Sequence, residues 1–206
     1  MDSPQLELIR RSLADTRAPI DLAADLPDDT PATVRRIWPE TLIPAAVLVP
    51  LLERGDGLRV ILTERAAGLT RHPGQIAFPG GRVEAEDAGP LDTALRESEE
   101  EIGLPRSLVE PVGYLGIYPT VTGYAVLPVV ALIRGSFEWR PDPREVTAVF
   151  DAPLDHLLDP AHHRKSTRRI GGVDVPVYEI LFEQRRIWGA TAAILVDFSR
   201  RIQEVK

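Results

Sequence analysis

Residues 91–104, LDTALRESEEEIGL, constrain this chain more than any other stretch. Leu91, Ala94, Leu95, Ser98 and Ile102 recur at helical spacing and share one side. Gly103 and Pro105 then stop the helix, the glycine at the C′ position and the proline just beyond it. Glu97, Glu100 and Glu101 stand at i, i+3 and i+4, so three carboxylates converge within about one turn, while Glu99 points elsewhere. On an isolated helix such a run is an ordinary solvated face. Here the like charges repel one another and sit in the second half of the helix, where the macrodipole disfavours anions. Cations must offset them, from solution or bound. Three hard oxygen donors on a rigid scaffold suit Mg²⁺ or Mn²⁺, with waters and phosphate oxygens completing the shell. A Phe78-Pro79-Gly80-Gly81 turn lies upstream, and a carbonyl from Gly80 or Gly81 can face the same ion.

The rest of the chain reads as an α/β domain. Leu6, Ile9 and Leu13 predict a short amphipathic helix over 4–14, and the Pro-, Asp- and Thr-rich residues 15–44 an irregular arm. AAVLVPLL (45–52) and LRVILTE (58–64) are apolar strand candidates joined by RGDG, which reads as a turn rather than a recognition triplet. Further strands are expected at 111–118, 124–133, 145–150 and within 173–183. A short helix is expected in DAPLDHLLD and a closing helix over 186–202. Helices on both sides of a mixed sheet follow from that order.

Composition removes several function classes. With no Cys there are no disulfides, thiolate metal sites or Cys nucleophile, which fits a reducing, cytoplasmic compartment. No apolar run reaches the ~20 residues of a membrane span, and the first 17 residues do not read as a signal peptide. The net charge of −7 gives no basic field for nucleic acid, so the expected partner is a small molecule. The strongest basic run, HHRKSTRR (162–169), is expected to be a mobile, solvated loop, although a phosphate on a substrate would want such a patch.

Residues 75–104, QIAFPGGRVEAEDAGPLDTALRESEEEIGL, resemble a Nudix box, the signature of hydrolases that cleave nucleoside diphosphates linked to another moiety. Arg96, Glu97, Glu100, Glu101, Gly103 and Leu104 fall on its second half, and Ser98 stands where an apolar residue is usual. Eight residues separate Asp87 from Arg96, one more than the general pattern. That insertion is a feature of the coenzyme A pyrophosphatase branch. ILTERAAGLTRHPGQIAFPGG (61–81) is similar to that branch's own motif, with Leu62, Thr63, Arg65, Ala66, Gly74 and residues 78–81 in place. Thr70 stands where the branch has Arg, with Arg71 adjacent.

The resemblance implies a Nudix α/β/α sandwich with a mixed sheet and the box helix packed on it. Residues 40–203 would form the hydrolase domain, with the helix and arm of 1–39 part of the same unit. It implies Mg²⁺ or Mn²⁺ on Glu97, Glu100, Glu101 and the Gly81 carbonyl, and Arg96 bracing a box carboxylate by an ion pair. Asp87 takes the acid position of the first half. Glu145 matches a position that adds a metal or base carboxylate in some members, against the plainer reading of a solvated strand-entry residue. Arg65, Arg71, His72 and Gln75 would contact the substrate. Ser98, with no His nearby, is no nucleophile. The activity implied is hydrolysis of coenzyme A or its thioesters to 4′-phosphopantetheine, or its acyl form, and adenosine 3′,5′-bisphosphate. ADP-ribose, another dinucleotide or an NTP is the alternative substrate, and a non-catalytic nucleotide-binding module a remote one. A homodimer is compatible with the resemblance.

Overall fold

The computed structural model describes residues 3–19, 21–22, 35, 37–69 and 72–205. The long apolar run forms β1 (Ile43–Arg54), which turns through Asp56 into β2 (Gly57–Arg65). Its even residues Ala46 and Leu48 face one side of the sheet and its odd residues Val49 and Leu51 the other, and both sides are buried. A strand covered on both faces reads as a continuous apolar run rather than an alternating one.

β1 pairs along its length, in parallel, with β7 (Tyr124–Ile133). On its other side β1 keeps β2 only at its C-terminal end, residues 51–54, and then the two strands part. The gap is filled by the glycine-rich turn. β3 (Ile76–Ala77) pairs with β2 and β4 (Gly80–Arg82) pairs with β1, so Phe78 and Pro79 step from one strand to the other. β8 (Val146–Pro153) lies on the outer side of β2, β5 (Val109–Tyr114) beyond β7, and β6 (Tyr118–Pro119) also against β7.

The box helix, α2 (Pro90–Ile102), packs on β1 through Ala94 and Ile102 against Ala46, Leu48, Ile61, Val129 and Ala131. Gly103 ends it at φ 70°, with Gly103 N–H donating to the Glu99 carbonyl and Leu104 N–H to that of Ser98. On the opposite face lie α1 (Pro4–Leu13), the short α3 (Leu154–Leu158) and α4 (Ala190–Gln203). Leu6, Ile9 and Leu13 are the buried stripe of α1, as their spacing predicts. This is the expected α/β/α sandwich on a mixed sheet, with a three-stranded antiparallel sheet added. That second sheet is β9 (Arg164–Ile170), β10 (Val173–Phe182) and β11 (Arg185–Trp188).

Three elements differ from the sequence reading, the first being the strand expected at 111–118, which ends at Tyr114 and resumes only at Tyr118–Pro119. Residues 162–169 are not a solvated loop: from Arg164 they form β9, paired along its length with β10, because a Gly171-Gly172 turn folds one strand onto the other. The closing helix begins at Ala190, not 186, because Ile187 pairs with Ile180 and Gly189 breaks the strand at φ 68°. Among the described residues no helix is long and apolar enough to cross a membrane.

Gly80 is fixed by close approach. At φ 149°, a Cβ there would collide with the Ala46 carbonyl and Val47 Cα, both backbone atoms. Gly80→Ala is expected to cost about 3 kcal/mol, the upper end for overpacking. Gly68→Ala, where a Cβ meets open space, is expected to change urea unfolding little.

Candidate active site

The wedge between β1 and β2 presents Gly80 and Gly81 to the polar face of α2. Glu101 is 3% exposed and accepts a hydrogen bond from Gly80 N–H at 3.2 Å through Oε2. Its Oε1 lies 3.9 Å from Arg65 Nη1. Burial pushes the Glu101 carboxyl up to about 8, with the charges of Glu97 and Glu145 adding to the push while Gly80 N–H and Arg65 oppose it. Glu97 is also raised, first by burial, against the pull of Arg96. A Cβ on Gly81 would run into the Glu97 carboxylate, so only glycine lets that side chain lie across β4. Glu100 is the open member, its side chain 60% exposed.

Arg96 holds the group from the side. Its Nη1 donates to Glu97 Oε1 at 2.8 Å and to Glu100 Oε2 at 3.4 Å. On the helical wheel Arg96 stands one turn before Glu100 and beside it, and its other donors are anchored from outside the helix. Nε and Nη2 make a fork on Asp87 at 2.9 and 3.0 Å, and Nη2 also reaches the Arg82 carbonyl. Asp87 accepts further bonds from Glu84 N–H and Thr93 Oγ1, and the Arg96 fork holds its carboxyl well below the usual carboxylate range. Ser98 is buried and donates to the Ala94 carbonyl at 2.6 Å, which is how a hydroxyl occupies an apolar position.

The segment between β7 and β8 delivers Glu145. Arg140 N–H and Asp142 N–H donate to the carbonyls of Ile102 and Glu101, satisfying acceptors that the helix end leaves open. Glu145 follows as an exposed residue whose charge is felt by both Glu97 and Glu101, and its carbonyl accepts from Ala66 N–H. Arg65 is tied to the loop before the box: its N–H donates to the Gln75 carbonyl and its carbonyl accepts from Gly74 N–H, both at 3.0 Å. His72 sits in that loop at φ 58°, a strained conformation for a residue with a Cβ. Arg65 Nε is buried and has no hydrogen-bond partner. Arg71 and Thr70 lie outside the described residues.

Among the described residues no three His, Asp or Glu side chains stand in a ready-made metal cage, since Arg96 draws Glu97 and Glu100 together from outside. The donor set still fits a hard divalent cation. It combines a carboxylate lifted by burial and by its acidic neighbours, a second half-buried one, an exposed third, and a glycine strand with no side chain in the way. Two clefts lie elsewhere. One of about 400 Å³ is at the opposite end of β1, near Arg54 and Trp139, and one of about 560 Å³ lies between α1 and α4. The site's carboxylates line neither of them.

Residues 41–170 match the NUDIX domain family model. The chain is 40% identical over 159 residues to the uncharacterized Nudix hydrolase NudL of Escherichia coli (strain K12 / DH10B), covering 77% of this chain and 82% of that protein. It is 37% identical over 158 residues to the protein of the same name from Enterobacter sp. (strain 638), with the same coverage. A crystal structure of a MutT protein from Methanosarcina mazei Go1 shares the fold, with a TM-score of 0.51 at 18% identity over 79% of this chain and 93% of that one.

The Arg96–Asp87 fork generates a test. A carboxyl depressed in the folded state contributes stability above its unfolded value near 4, and that stability is lost as pH falls through and below it. Asp87→Asn is expected to destabilise by about 2 kcal/mol at neutral pH, by stranding charged donors. It should also flatten the acid limb of a chemical-denaturation series run from neutral pH to pH 2.

Proposed function

We propose that this chain, which belongs to the Nudix hydrolase family, hydrolyses the diphosphate linkage of coenzyme A or its thioesters. The products would be 4′-phosphopantetheine, or its acyl form, and adenosine 3′,5′-bisphosphate. The observation that carries the reading is Arg65. It is the arginine of the segment that resembles the coenzyme A branch motif, and it reaches to 3.9 Å from the buried Glu101 with an unpartnered Nε. A phosphate oxygen of the substrate would give that donor its partner. Gln75 and His72 belong to the loop whose backbone is hydrogen-bonded to Arg65, and their side chains would meet the same ligand.

Glu97, Glu100, Glu101 and the Gly81 carbonyl would hold Mg²⁺ or Mn²⁺. Such a cation neutralises diphosphate oxygens and acidifies a coordinated water. The chain's own residues do the rest. Arg96, fixed by Asp87, sets the direction of Glu97 and Glu100 and acts as a positioning residue. Gly80 N–H fixes one oxygen of Glu101 and leaves the other toward the groove. Arg65 balances charge on the phosphate that faces β2. A proton leaving the attacking water passes to a free carboxylate oxygen, that of exposed Glu145 or of a box glutamate not otherwise engaged. Glu100 and Glu145 satisfy the requirement for exposure.

The test is product analysis by mass spectrometry after incubation with coenzyme A and Mg²⁺ or Mn²⁺, alongside ADP-ribose and dNTPs. Adenosine 3′,5′-bisphosphate is the expected product, and cleavage of ADP-ribose or dNTPs in place of coenzyme A would overturn the substrate assignment. Glu100→Gln is expected to abolish turnover while leaving the unfolding midpoint unchanged, because the side chain is exposed. Glu101→Gln is expected to abolish turnover and raise the melting temperature of the metal-free protein at neutral pH, since folding must hold this carboxyl protonated well above its unfolded value near 4 and the amide carries no such cost. Added Mg²⁺ should then stabilise the wild type but not the Glu101→Gln variant.

A further inference from the structure

The second sheet packs one face on α4, and among the described residues its other face is partly exposed, with Val175 buried on it. Its register places Ile180 and Ile187 on the buried face and Arg164, Arg168, Glu179, Arg186 and Trp188 together on the other. On that face the Arg168 guanidinium lies 4.9 Å from the centre of the Trp188 ring and that of Arg186 lies 5.2 Å from it. Arg186 Nε donates to Glu179, which leaves its two terminal nitrogens uncommitted to that pair. Among the described residues neither Arg164 nor Arg168 makes an ion pair. Two guanidiniums on one indole, with Arg164 on the same face and a single carboxylate among them, repel one another in a chain whose net charge is −7. An anion on this face would relieve them.

The face is joined to the hydrolytic site by a short series of contacts. Glu101 faces Arg65, and Arg65 N–H bonds the Gln75 carbonyl. The next carbonyl, that of Ile76, accepts from Thr191 Oγ1 at 3.0 Å, and Thr191 is three residues beyond Trp188. β11 accordingly packs beside β3. Resting on the coenzyme A reading above, we propose that Arg168 and Arg186 bind the 3′-phosphate monoester of the substrate's adenosine, with Trp188 as the residue that orients them. Stacking on the indole holds each guanidinium plane, so that its edge is presented to a tetrahedral phosphate as a fork. A single monoester fits the small number of cations, whereas a nucleic acid needs an extended basic track that this acidic chain lacks.

The experiment compares coenzyme A with 3′-dephospho-coenzyme A, which differ by that phosphate alone. Wild type is expected to favour coenzyme A by about tenfold or more in kcat/KM, the worth of one or two charge-assisted bonds. Arg168→Gln and Arg186→Gln should each lose about tenfold on coenzyme A through KM, and nothing on the dephospho form. Both arginines are exposed, so the variants should fold. Trp188→Ala should raise KM for coenzyme A with kcat unchanged, and Trp188→Phe should restore it. Calorimetric titration with adenosine 3′,5′-bisphosphate against AMP reads the same preference without turnover. An unaltered preference between the two substrates in the arginine variants would overturn the proposal while leaving the coenzyme A reading intact. Failure to cleave coenzyme A, with the bisphosphate still bound more tightly than AMP, would overturn that reading and keep the site. Oligonucleotide binding that the arginine variants lose, with substrate preference unmoved, would assign the face to nucleic acid instead.

Discussion

The bond from Gly80 N–H to the buried carboxylate of Glu101 is the contact on which the rest of the site depends. It exists only because β1 and β2 part after a short paired stretch and the glycine turn closes the gap between them. A carboxylate taken out of water is costly unless donors meet it. One backbone amide and a guanidinium at 3.9 Å do so incompletely, which is why the carboxyl is held high. In the proposed reading that residual cost is what a bound cation would offset. A fully paired Glu101 would be a structural ion pair, and a fully solvated one would have no reason to be buried.

The brace beside it solves a different problem. Glu97 and Glu100 lie on one helix face and repel, and Arg96 is the cation that keeps them together. Its own position is fixed by Asp87, held in turn by Glu84 N–H and Thr93. The extra residue between Asp87 and Arg96 is therefore absorbed in the loop before the helix, and the fork survives it. Two carboxylates of opposite character result. Asp87 is depressed by an intimate cation, whereas Glu101 is raised by burial among acids.

Much of this was legible in the sequence because it rests on periodicity and on glycine. The stripe of α1, the box helix with its Gly103 stop and the two apolar strands follow from spacing alone. The carboxylate face follows as well, but the partner of Glu101 does not, since a backbone N–H has no letter in the sequence. Arg96 illustrates the same limit: a wheel locates its Cα, while its side chain goes where Asp87 holds it. The basic run was misread for another reason. Polar residues at every position from Arg164 to Arg169 mask the alternation of a strand, and only the paired glycines at 171–172, followed by an alternating apolar run, signal the hairpin.

An acidic chain that acts on a more acidic substrate needs its positive charge in particular places, not spread over its surface. In the proposed reading those places divide the ligand between them. Arg65 and the carboxylates that would hold a cation take the diphosphate, the part common to substrates of the whole family. The sheet β9–β11 takes what is peculiar to one substrate. The division has a structural basis: the box is locked by backbone contacts that permit few substitutions, whereas Arg168 and Arg186 are exposed side chains on a sheet held by its other face. Exposed side chains of that kind can change without disturbing the core, so selectivity can vary there while the hydrolytic groove stays fixed.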